Sequence, residues 1–257
     1  MKIYSWNMYC YNRKLDRAFS YIKNLDFDVL CLQEVTEDFL ERLQGLPYSI
    51  ASGLDIIKIP SRHRENRLYT VILSKYPIQH SERISFPDSA QPLRMRLFLF
   101  VMRPLGWVHA MDRGSVYADI DAGKEGRFRI FSLHLTLAGP TYRARELAIV
   151  EKYVPNGYSA ILAGDFNIVE HSFFKFVSWL LGSPISEALP SHDERSFVEN
   201  FFVTLGLKNP LRGQVTHPLS RSQLDHILVP QTVSVSSATV EDKSYGSDHK
   251  PICVKLS

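Results

Sequence analysis

In the stretch SAILAGDFNIV, residues 159–169, a run of small and apolar residues is followed directly by polar ones. The run predicts a buried β-strand, and Asp165 and Asn167 follow where that strand ends. A carboxylate at the mouth of a core strand costs free energy unless it is paired, hydrogen-bonded or bound to a cation. GDFN also has turn chemistry, so a purely structural turn is the alternative at this point.

Three more predicted strands end in the same way. SWN ends in Asn7, LCLQE ends in Glu34 and FSLH ends in His134. One such residue would mean little. Several acids, amides and imidazoles in this position predict strand ends that converge on one polar cleft, the usual place for a site in an α/β protein.

Helices interrupt the strands along the rest of the chain. Helical periodicity predicts amphipathic helices at residues 13–26, 143–154 and 195–207. Strand patterns cover residues 2–7, 27–35, 67–78, 84–108, 113–121, 126–135, 223–230, 234–242 and 251–256. No repeat or long linker divides the sequence. We therefore expect a single α/β domain over residues 1–257, with more than one sheet layer.

The composition is that of a globular protein: 257 residues, 45% hydrophobic and 22% charged. No run approaches the roughly 20 apolar residues of a membrane span, and the amino terminus lacks a secretory signal pattern. Cys31 and Cys253 lie in apolar runs, and the three cysteines have no metal-type spacing, so we expect reduced thiols. We interpret the chain as a cytoplasmic monomer without stable membrane association.

The charge pattern permits an anionic partner without establishing one. The formal net charge is +3, and residues 58–67 (KIPSRHRENR) carry a local charge of +3. A solvated loop is the simpler explanation of such a run, and further arginines would contact phosphates only if folding gathered them on one face.

The residues at the strand ends suit phosphate-ester hydrolysis. Mg²⁺ prefers oxygen ligands, usually one or two carboxylates with waters and substrate phosphate. A second carboxylate can orient or deprotonate water, and a histidine held by another carboxylate can donate hydrogen bonds to the phosphate. The sequence has no CxxC or HExxH for zinc, and no GxSxG or glycine-rich phosphate loop.

Six motifs, in order, resemble those of the endonuclease/exonuclease/phosphatase superfamily, the deoxyribonuclease I-like metal-dependent phosphodiesterases. They are SWN (Asn7), LQEV (Glu34), SLHL (His134), GDFN (Asp165, Asn167), LDHILV (Asp225) and SDHKPI (Asp248, His249). The resemblance implies a four-layer α/β sandwich, with two mixed β-sheets packed face to face and flanked by helices.

The resemblance also implies a role for each motif. Glu34 would be the main metal ligand, assisted by Asn7 and Asp248. Asp165 would position or activate water, and Asn167 would contact the phosphate. His249, oriented by Asp225, would bind the scissile phosphate. His134 would be the second histidine, a proton donor or charge stabiliser.

Two weaker placements follow from the same family. Glu65 stands where related enzymes keep a carboxylate that supports the first histidine, and Arg113 matches an arginine that contacts substrate phosphate. SLHL replaces the tyrosine-containing motif of abasic-site endonucleases, which argues against that specialisation. His226 is expected to point away from Asp225 across the strand. A place for His217 near the substrate stays open.

We therefore predict a Mg²⁺- or Mn²⁺-dependent phosphodiesterase, a nuclease acting on DNA or RNA. One alternative is a phosphatase or a phospholipid (sphingomyelinase-like) phosphodiesterase of the same fold, which would show a narrow pocket or an apolar rim such as residues 96–108. Another is a binding module that keeps the fold without the chemistry, although the complete set of acids and histidines speaks against it.

Overall fold

Two β-sheets packed face to face form the centre of the computed structural model, which describes residues 1–59, 66–87, 92–102, 109–154, 159–189, 191 and 193–257. The first sheet has seven strands: β1 (Lys2–Asn7), β2 (Val29–Thr36), β3 (Ser49–Ile59), β4 (Asn66–Ser74), β6 (His109–Met111), β12 (Val235–Val240) and β13 (Ile252–Leu256). The second has six: β5 (Ile78–Ser85), β7 (Gly114–Asp121), β8 (Arg127–His134), β9 (Ser159–Asp165), β10 (Leu207–Lys208) and β11 (Asp225–Pro230).

Helices cover the outer faces of both sheets. They are α1 (Leu15–Asn24), α2 (Glu37–Gln44), α3 (Leu93–Met102), α4 (Pro140–Glu151), α5 (Ser172–Leu180), α6 (Ile185–Ala188) and α7 (Glu194–Thr204). The predicted four-layer α/β sandwich is confirmed. Among the described residues, none of these helices combines the length and the apolar character that crossing a bilayer requires.

Strand alternation sorts the side chains into three apolar layers. Ile3 points into the core between the two sheets, whereas its neighbour Tyr4 packs under the outer helices with Ile22 of α1. On the other side, Phe131 of β8 packs against Val198 and other residues of the outer helices. Each sheet is therefore buried on both faces, which explains the continuous apolar runs of its central strands.

Each sheet contains one parallel strand pair at its centre. β1 runs parallel to β2, with Asn7 opposite Gln33, and β8 runs parallel to β9, with His134 opposite Asp165. β11 is antiparallel to β9, so its first residue, Asp225, also lies opposite Asp165. The sheet register thus brings the ends of all these strands to one edge of the sandwich.

Most predicted elements appear with shifted bounds, but the strand predicted across residues 84–108 is wrong. β5 ends at Ser85, and Leu93–Met102 forms helix α3. The alternation of Arg94 and Arg96 with apolar residues suggested a strand. The segment is nevertheless rich in Leu, Met and Arg, which favour helices, and contains a single β-branched residue, Val101. Cys31 and Cys253 are buried free thiols, as expected.

Candidate active site

A β-bulge at the end of β2 turns Glu34 into the cleft. The register between β2 and β4 shifts between Leu32 and Val35, and Glu34 has a φ of 54°. Asn167, just after β9, has a φ of 51°. Such left-handed conformations are costly for residues other than glycine, and they persist where the surrounding structure enforces them, commonly at functional sites.

Asn7 joins two carboxylates of the cleft. Its amide Nδ2 donates to Asp165 Oδ2 at 3.0 Å and approaches Glu34 Oε1 at 3.4 Å. The other oxygen of Glu34 accepts from the Cys10 N–H at 3.0 Å and lies 3.7 Å from Lys58 Nζ. The three strands β1, β2 and β9 therefore place an amide and two acids within hydrogen-bonding reach of one another.

Lys58 keeps Glu34 ionised. Burial raises the pKa of the Glu34 carboxyl, but Lys58, His134 and the Cys10 N–H outweigh it and hold that pKa below its usual range. Burial lowers the pKa of Lys58, but Glu34, Cys10 and Tyr11 together raise it above its usual value. The Lys58 ammonium also contacts Cys10 Sγ at 3.0 Å. A cation thus sits directly against the predicted metal-binding carboxylate.

His134 is held by an aspartate that the sequence did not reveal. Its Nδ1 lies 2.7 Å from Oδ2 of the fully buried Asp55, on β3. Its Nε2 faces the cleft, 3.8 Å from Glu34 Oε1 and 3.9 Å from Asp165 Oδ2. Burial lowers the pKa of His134, but the surrounding carboxylates, led by Asp55, raise it to about 9. Its protonated form is therefore favoured.

His249 has the same arrangement on the opposite side of Asp165. Its Nδ1 lies 2.8 Å from Asp225 Oδ2, and its Nε2 lies 3.8 Å from Asp165 Oδ2. Burial is again outweighed by the carboxylates, Asp225 first, which raise the pKa of His249 to about 10. Asp165 thus lies between two histidine Nε2 atoms, each fixed from behind by a buried aspartate.

Asp165 is enclosed and oriented from several directions. Its Oδ1 accepts from the Asn167 N–H at 2.9 Å, and the Asn167 side chain donates to the Leu135 carbonyl at 2.8 Å. Burial raises the pKa of Asp165, and the nearby Asp225 carboxylate adds to this, although His249 and His134 oppose it. A carboxylate with a raised pKa is a stronger base than an ordinary aspartate.

Two hydrogen bonds fasten the SDH segment to β1, and a third lies within the segment. Ser247 Oγ donates to the Asn7 carbonyl at 2.7 Å and accepts from the His249 N–H at 3.0 Å. The buried Trp6 donates from Nε1 to the His249 carbonyl at 3.2 Å. These bonds explain why a serine, an aspartate and a histidine stand side by side here: Ser247 positions the two residues that follow it.

His217 lies in the same cleft, beside His249 and Asp248, and its place near the substrate stays a prediction. Its ring lies 4.7 Å from that of His249, and its Nε2 lies 3.7 Å from Asp248 Oδ2. The Ser220 N–H donates to His217 Nδ1 at 3.1 Å, so in the neutral ring the proton is on Nε2, facing Asp248. The sequence of the turn, THPLSRS, gave no indication that His217 would lie in the cleft.

A sequence model of the endonuclease/exonuclease/phosphatase family matches residues 4–249. The chain belongs to this family. The match covers nearly the whole sequence and includes every candidate site residue described above.

Solved structures of this family share the fold. An endonuclease/exonuclease/phosphatase protein from Beutenbergia cavernae superposes with a TM-score of 0.70 and 16% identity, over 100% of this chain and 71% of that one. A family protein from Leptotrichia buccalis gives 0.66 and 16%, over 100% and 99%. D. rerio TDP2 complexed with a single-strand DNA product gives 0.63 and 18%, over 100% and 98%. No curated protein sequence matches the chain significantly.

The structure gathers eight of the ten residues predicted for the family site. They are Asn7, Glu34, His134, Asp165, Asn167, Asp225, Asp248 and His249. Glu65 lies outside the described residues, as does most of the basic segment 58–67. Asp55 is the carboxylate observed on the first histidine.

Arg113 lies beneath the cleft rather than in open contact with it. Its guanidinium is buried, donating to Glu146 Oε1 at 3.2 Å and to the His134 carbonyl at 2.9 Å. A direct contact with substrate phosphate therefore stays a prediction. His226 is packed on Phe166 and receives a hydrogen bond from Arg195 at 2.7 Å, outside the cluster of acids. Burial and Arg195 lower the pKa of His226 well below its usual value, so it is neutral.

The donor set of the cleft fits a hard divalent cation. Glu34, Asn7 and Asp248 offer carboxylate and amide oxygens. Two groups of side chains have ligand atoms within 4.8 Å of one another: Asp165, Asp225 and His249, and His217, Asp248 and His249. Oxygen-rich sites of this kind suit Mg²⁺ or Mn²⁺. Among the described residues, Asp55 Oδ1 and Asp225 Oδ1 are buried without a hydrogen-bond partner, while Oδ2 of each aspartate contacts its histidine.

Proposed function

We propose that the protein is a Mg²⁺- or Mn²⁺-dependent phosphodiesterase that cleaves nucleic acid. The observation that carries this proposal is the pair of histidine–aspartate units, His134–Asp55 and His249–Asp225, whose Nε2 atoms face Asp165 from two sides at 3.9 and 3.8 Å. A tetrahedral phosphate between these groups would meet hydrogen-bond donors on two sides and a base on the third.

In the mechanism, Asp165 accepts a proton from the attacking water, because its burial makes the carboxylate more basic. Asn7 holds Asp165 in position through the 3.0 Å hydrogen bond. Glu34, with Asn7 and Asp248, would hold a divalent cation, which would offset the charge developing on the phosphoryl oxygens.

The two histidines act as protonated donors in this mechanism. His249 donates from Nε2 to a non-bridging phosphate oxygen, and His134 donates a proton to the leaving oxygen. Asp225 and Asp55 keep the two imidazoles charged and hold Nδ1–H, so that each Nε2 points at the substrate. Asn167 contacts the phosphate with the amide hydrogen that Leu135 does not take.

Nucleic acid is the substrate class that we favour. The net charge of +3 suits a polyanion, and the fold is shared with a TDP2 structure solved with a single-strand DNA product. A phospholipid phosphodiesterase is the second candidate, because α3 exposes large apolar side chains such as Leu97 and Phe100.

A hydrolysis panel tests the function and separates the two candidates. It offers single- and double-stranded DNA, RNA, an inositol phosphate and sphingomyelin, with Mg²⁺ or with EDTA. We expect cleavage of a nucleic acid that EDTA and Asp165→Asn abolish. Turnover of sphingomyelin alone would show that the substrate class is lipid and not nucleic acid. If the metal-loaded protein hydrolysed none of these substrates, the proposal that it is a phosphodiesterase would be refuted.

Two variants test the site itself. Glu34→Gln and His249→Ala should each lower kcat/KM by about 10²–10⁴-fold, since each removes a group that acts on the phosphate. Both variants should remain folded by circular dichroism, as the exposed controls Glu37→Gln and His80→Ala should, although each loses a buried ion pair and should unfold at a lower temperature than those controls. Full activity in either site variant with Mg²⁺ present would show that the residues are assigned wrongly.

A further inference from the structure

We propose that α3 is a docking surface for the anionic face of a phospholipid bilayer. The starting observation is a stripe of exposed apolar side chains on this helix: Leu93 (80% exposed), Leu97 (62%), Phe100 (71%) and Val101 (63%). At 100° per residue, these four fall within an arc of about 100° on the helix. They form one continuous face and are not isolated surface residues.

The opposite face of α3 is packed against the protein, so the exposed face has a fixed orientation. Met95 is buried, and Phe98 and Leu99 pack on the apolar cluster of Val177 and Leu181. A helix that is apolar on both faces is typical of one that is covered on both faces. Here the described part of the structure covers only one of them.

Arg94 anchors α3 to the end of α5. Its guanidinium donates to the carbonyls of Trp179, Gly182 and Ser183 at 2.8–2.9 Å, in the last turn of α5 and just beyond it. It also lies over the Trp179 ring, 5.5 Å from its centroid, and that ring lies 5.5 Å from Phe176. The apolar surface thus extends from α3 to the half-exposed Phe176 and, on the same helix, the exposed Phe173.

The charges around this surface favour an anionic partner. Residues 92–102 and 172–180 contain Arg94, Arg96 and Lys175 and no acidic residue. Arg96 is exposed at the margin of the apolar stripe. Leu and Phe on one side of a helix with arginine at its edge is the pattern of helices that lie in a membrane interface, where the basic residues meet lipid phosphates.

A second copy of the chain fits this surface less well. A two-fold contact through α3 would bring together two surfaces that each carry Arg94, Arg96 and Lys175 and no acidic residue in residues 92–102 and 172–180, and like charges at an interface are unfavourable. A lipid surface supplies the apolar layer and the negative charge together. This proposal departs from the sequence-based expectation of no stable membrane association. It goes beyond the proposed catalytic function and does not depend on it.

Vesicle flotation in EDTA tests docking without any turnover. The probes are vesicles of phosphatidylcholine alone and of phosphatidylcholine with phosphatidylglycerol. We expect the protein to float with the anionic vesicles, and Leu97→Glu/Phe100→Glu to lower the partition coefficient by at least about tenfold. The matched control is Phe197→Glu/Val203→Glu on α7, where both side chains are similarly exposed but lie on an acidic helix. This control should float as the unchanged protein does.

Substitutions of Arg96 distinguish the electrostatic contribution to vesicle binding from the apolar contribution. Arg96→Glu should abolish the preference for anionic vesicles, and Arg96→Lys should retain it. Hydrogen exchange of residues 93–102 in the unchanged protein should slow when anionic vesicles are added, a readout that needs no variant to fold. The proposal is overturned by absence of flotation, by equal flotation of the α3 and control variants, or by light scattering that shows a dimer broken by Leu97→Glu/Phe100→Glu.

Discussion

Replacing Asp55 with asparagine should move the alkaline limit of activity toward lower pH. Asp55 is fully buried and holds His134 Nδ1 at 2.7 Å, and its carboxylate is the strongest of the groups that raise the pKa of His134 from 6.5 to about 9. Asparagine keeps the size and a hydrogen-bonding side chain but removes the charge. Burial is then opposed only by Glu34 and Asp165, so the His134 pKa should fall toward its usual value of about 6.5.

The expected loss follows from the protonated fraction of His134. With a pKa of about 9, the imidazole is mostly protonated at pH 8, whereas with a pKa of about 6.5 only roughly 3% of it is. If His134 acts as the proton donor, kcat/KM at pH 8 should fall by about 30-fold, and by much less at pH 6. The pH profile of kcat/KM in wild type and in Asp55→Asn measures this directly.

The same substitution has a signature in stability. A histidine whose pKa is raised in the folded state stabilises the fold fully below pH 6.5, and this stabilisation is lost as the pH rises through about 9. The difference corresponds to about 3 kcal/mol. In EDTA, urea unfolding of the wild type between pH 6 and pH 10 should show this loss, and Asp55→Asn should show correspondingly less of it.

An exposed aspartate provides the matched control. Asp242→Asn should leave both the pH profile and the unfolding curves unchanged. The electrostatic role given to Asp55 would be refuted if Asp55→Asn kept the alkaline limit of the wild type and its His134 still titrated near 9 by NMR.

Two further predictions concern charged pairs. Lys58→Met should tighten Mn²⁺ binding by about tenfold in calorimetry, because it removes a cation 3.7 Å from the Glu34 carboxylate. Lys58→Arg keeps the positive charge and should not tighten binding. Equal affinities in the wild type and both variants would exclude competition between the ammonium and the metal. Glu194→Gln should lower the free energy of unfolding by about 3 kcal/mol, since it leaves the Arg143 guanidinium buried and unpaired where two 2.6 Å hydrogen bonds now hold it. Urea unfolding measures this loss against the exposed control Glu151→Gln, and equal midpoints for the two variants would contradict it.

The sequence predicted the site best where a polar residue interrupts a strand already recognised as buried. Glu34 and Asp165 follow long apolar runs, so the free-energy cost of burying their carboxylates was evident from residue types alone. Asp55 carries the same signal, an acid between Leu54 and Ile56, but β3 was not identified as a strand, and the signal was missed.

Contacts made by three-dimensional packing were beyond the sequence. Lys58 was noticed only as part of a basic run, and its pairing with Glu34 depends on the bulge that reorients β2. His217 stands in a turn whose pattern gives no direction to its ring. The helix α3 was mistaken for a strand because an apolar segment without a clear period does not distinguish the two.

The pairing of β1 with β13 sets the moment in synthesis at which the cleft is completed. Lys2 lies opposite Lys255, and the Asn7 carbonyl accepts from Ser247, a separation of 240 residues. A nascent chain emerging from the ribosome carries Asn7 and Glu34 early but lacks the histidine at position 249 until nearly the whole sequence has been made. Contacts of such long range also slow folding. The cleft is therefore completed late, and a chain that stops before His249 lacks a group that the proposed mechanism requires.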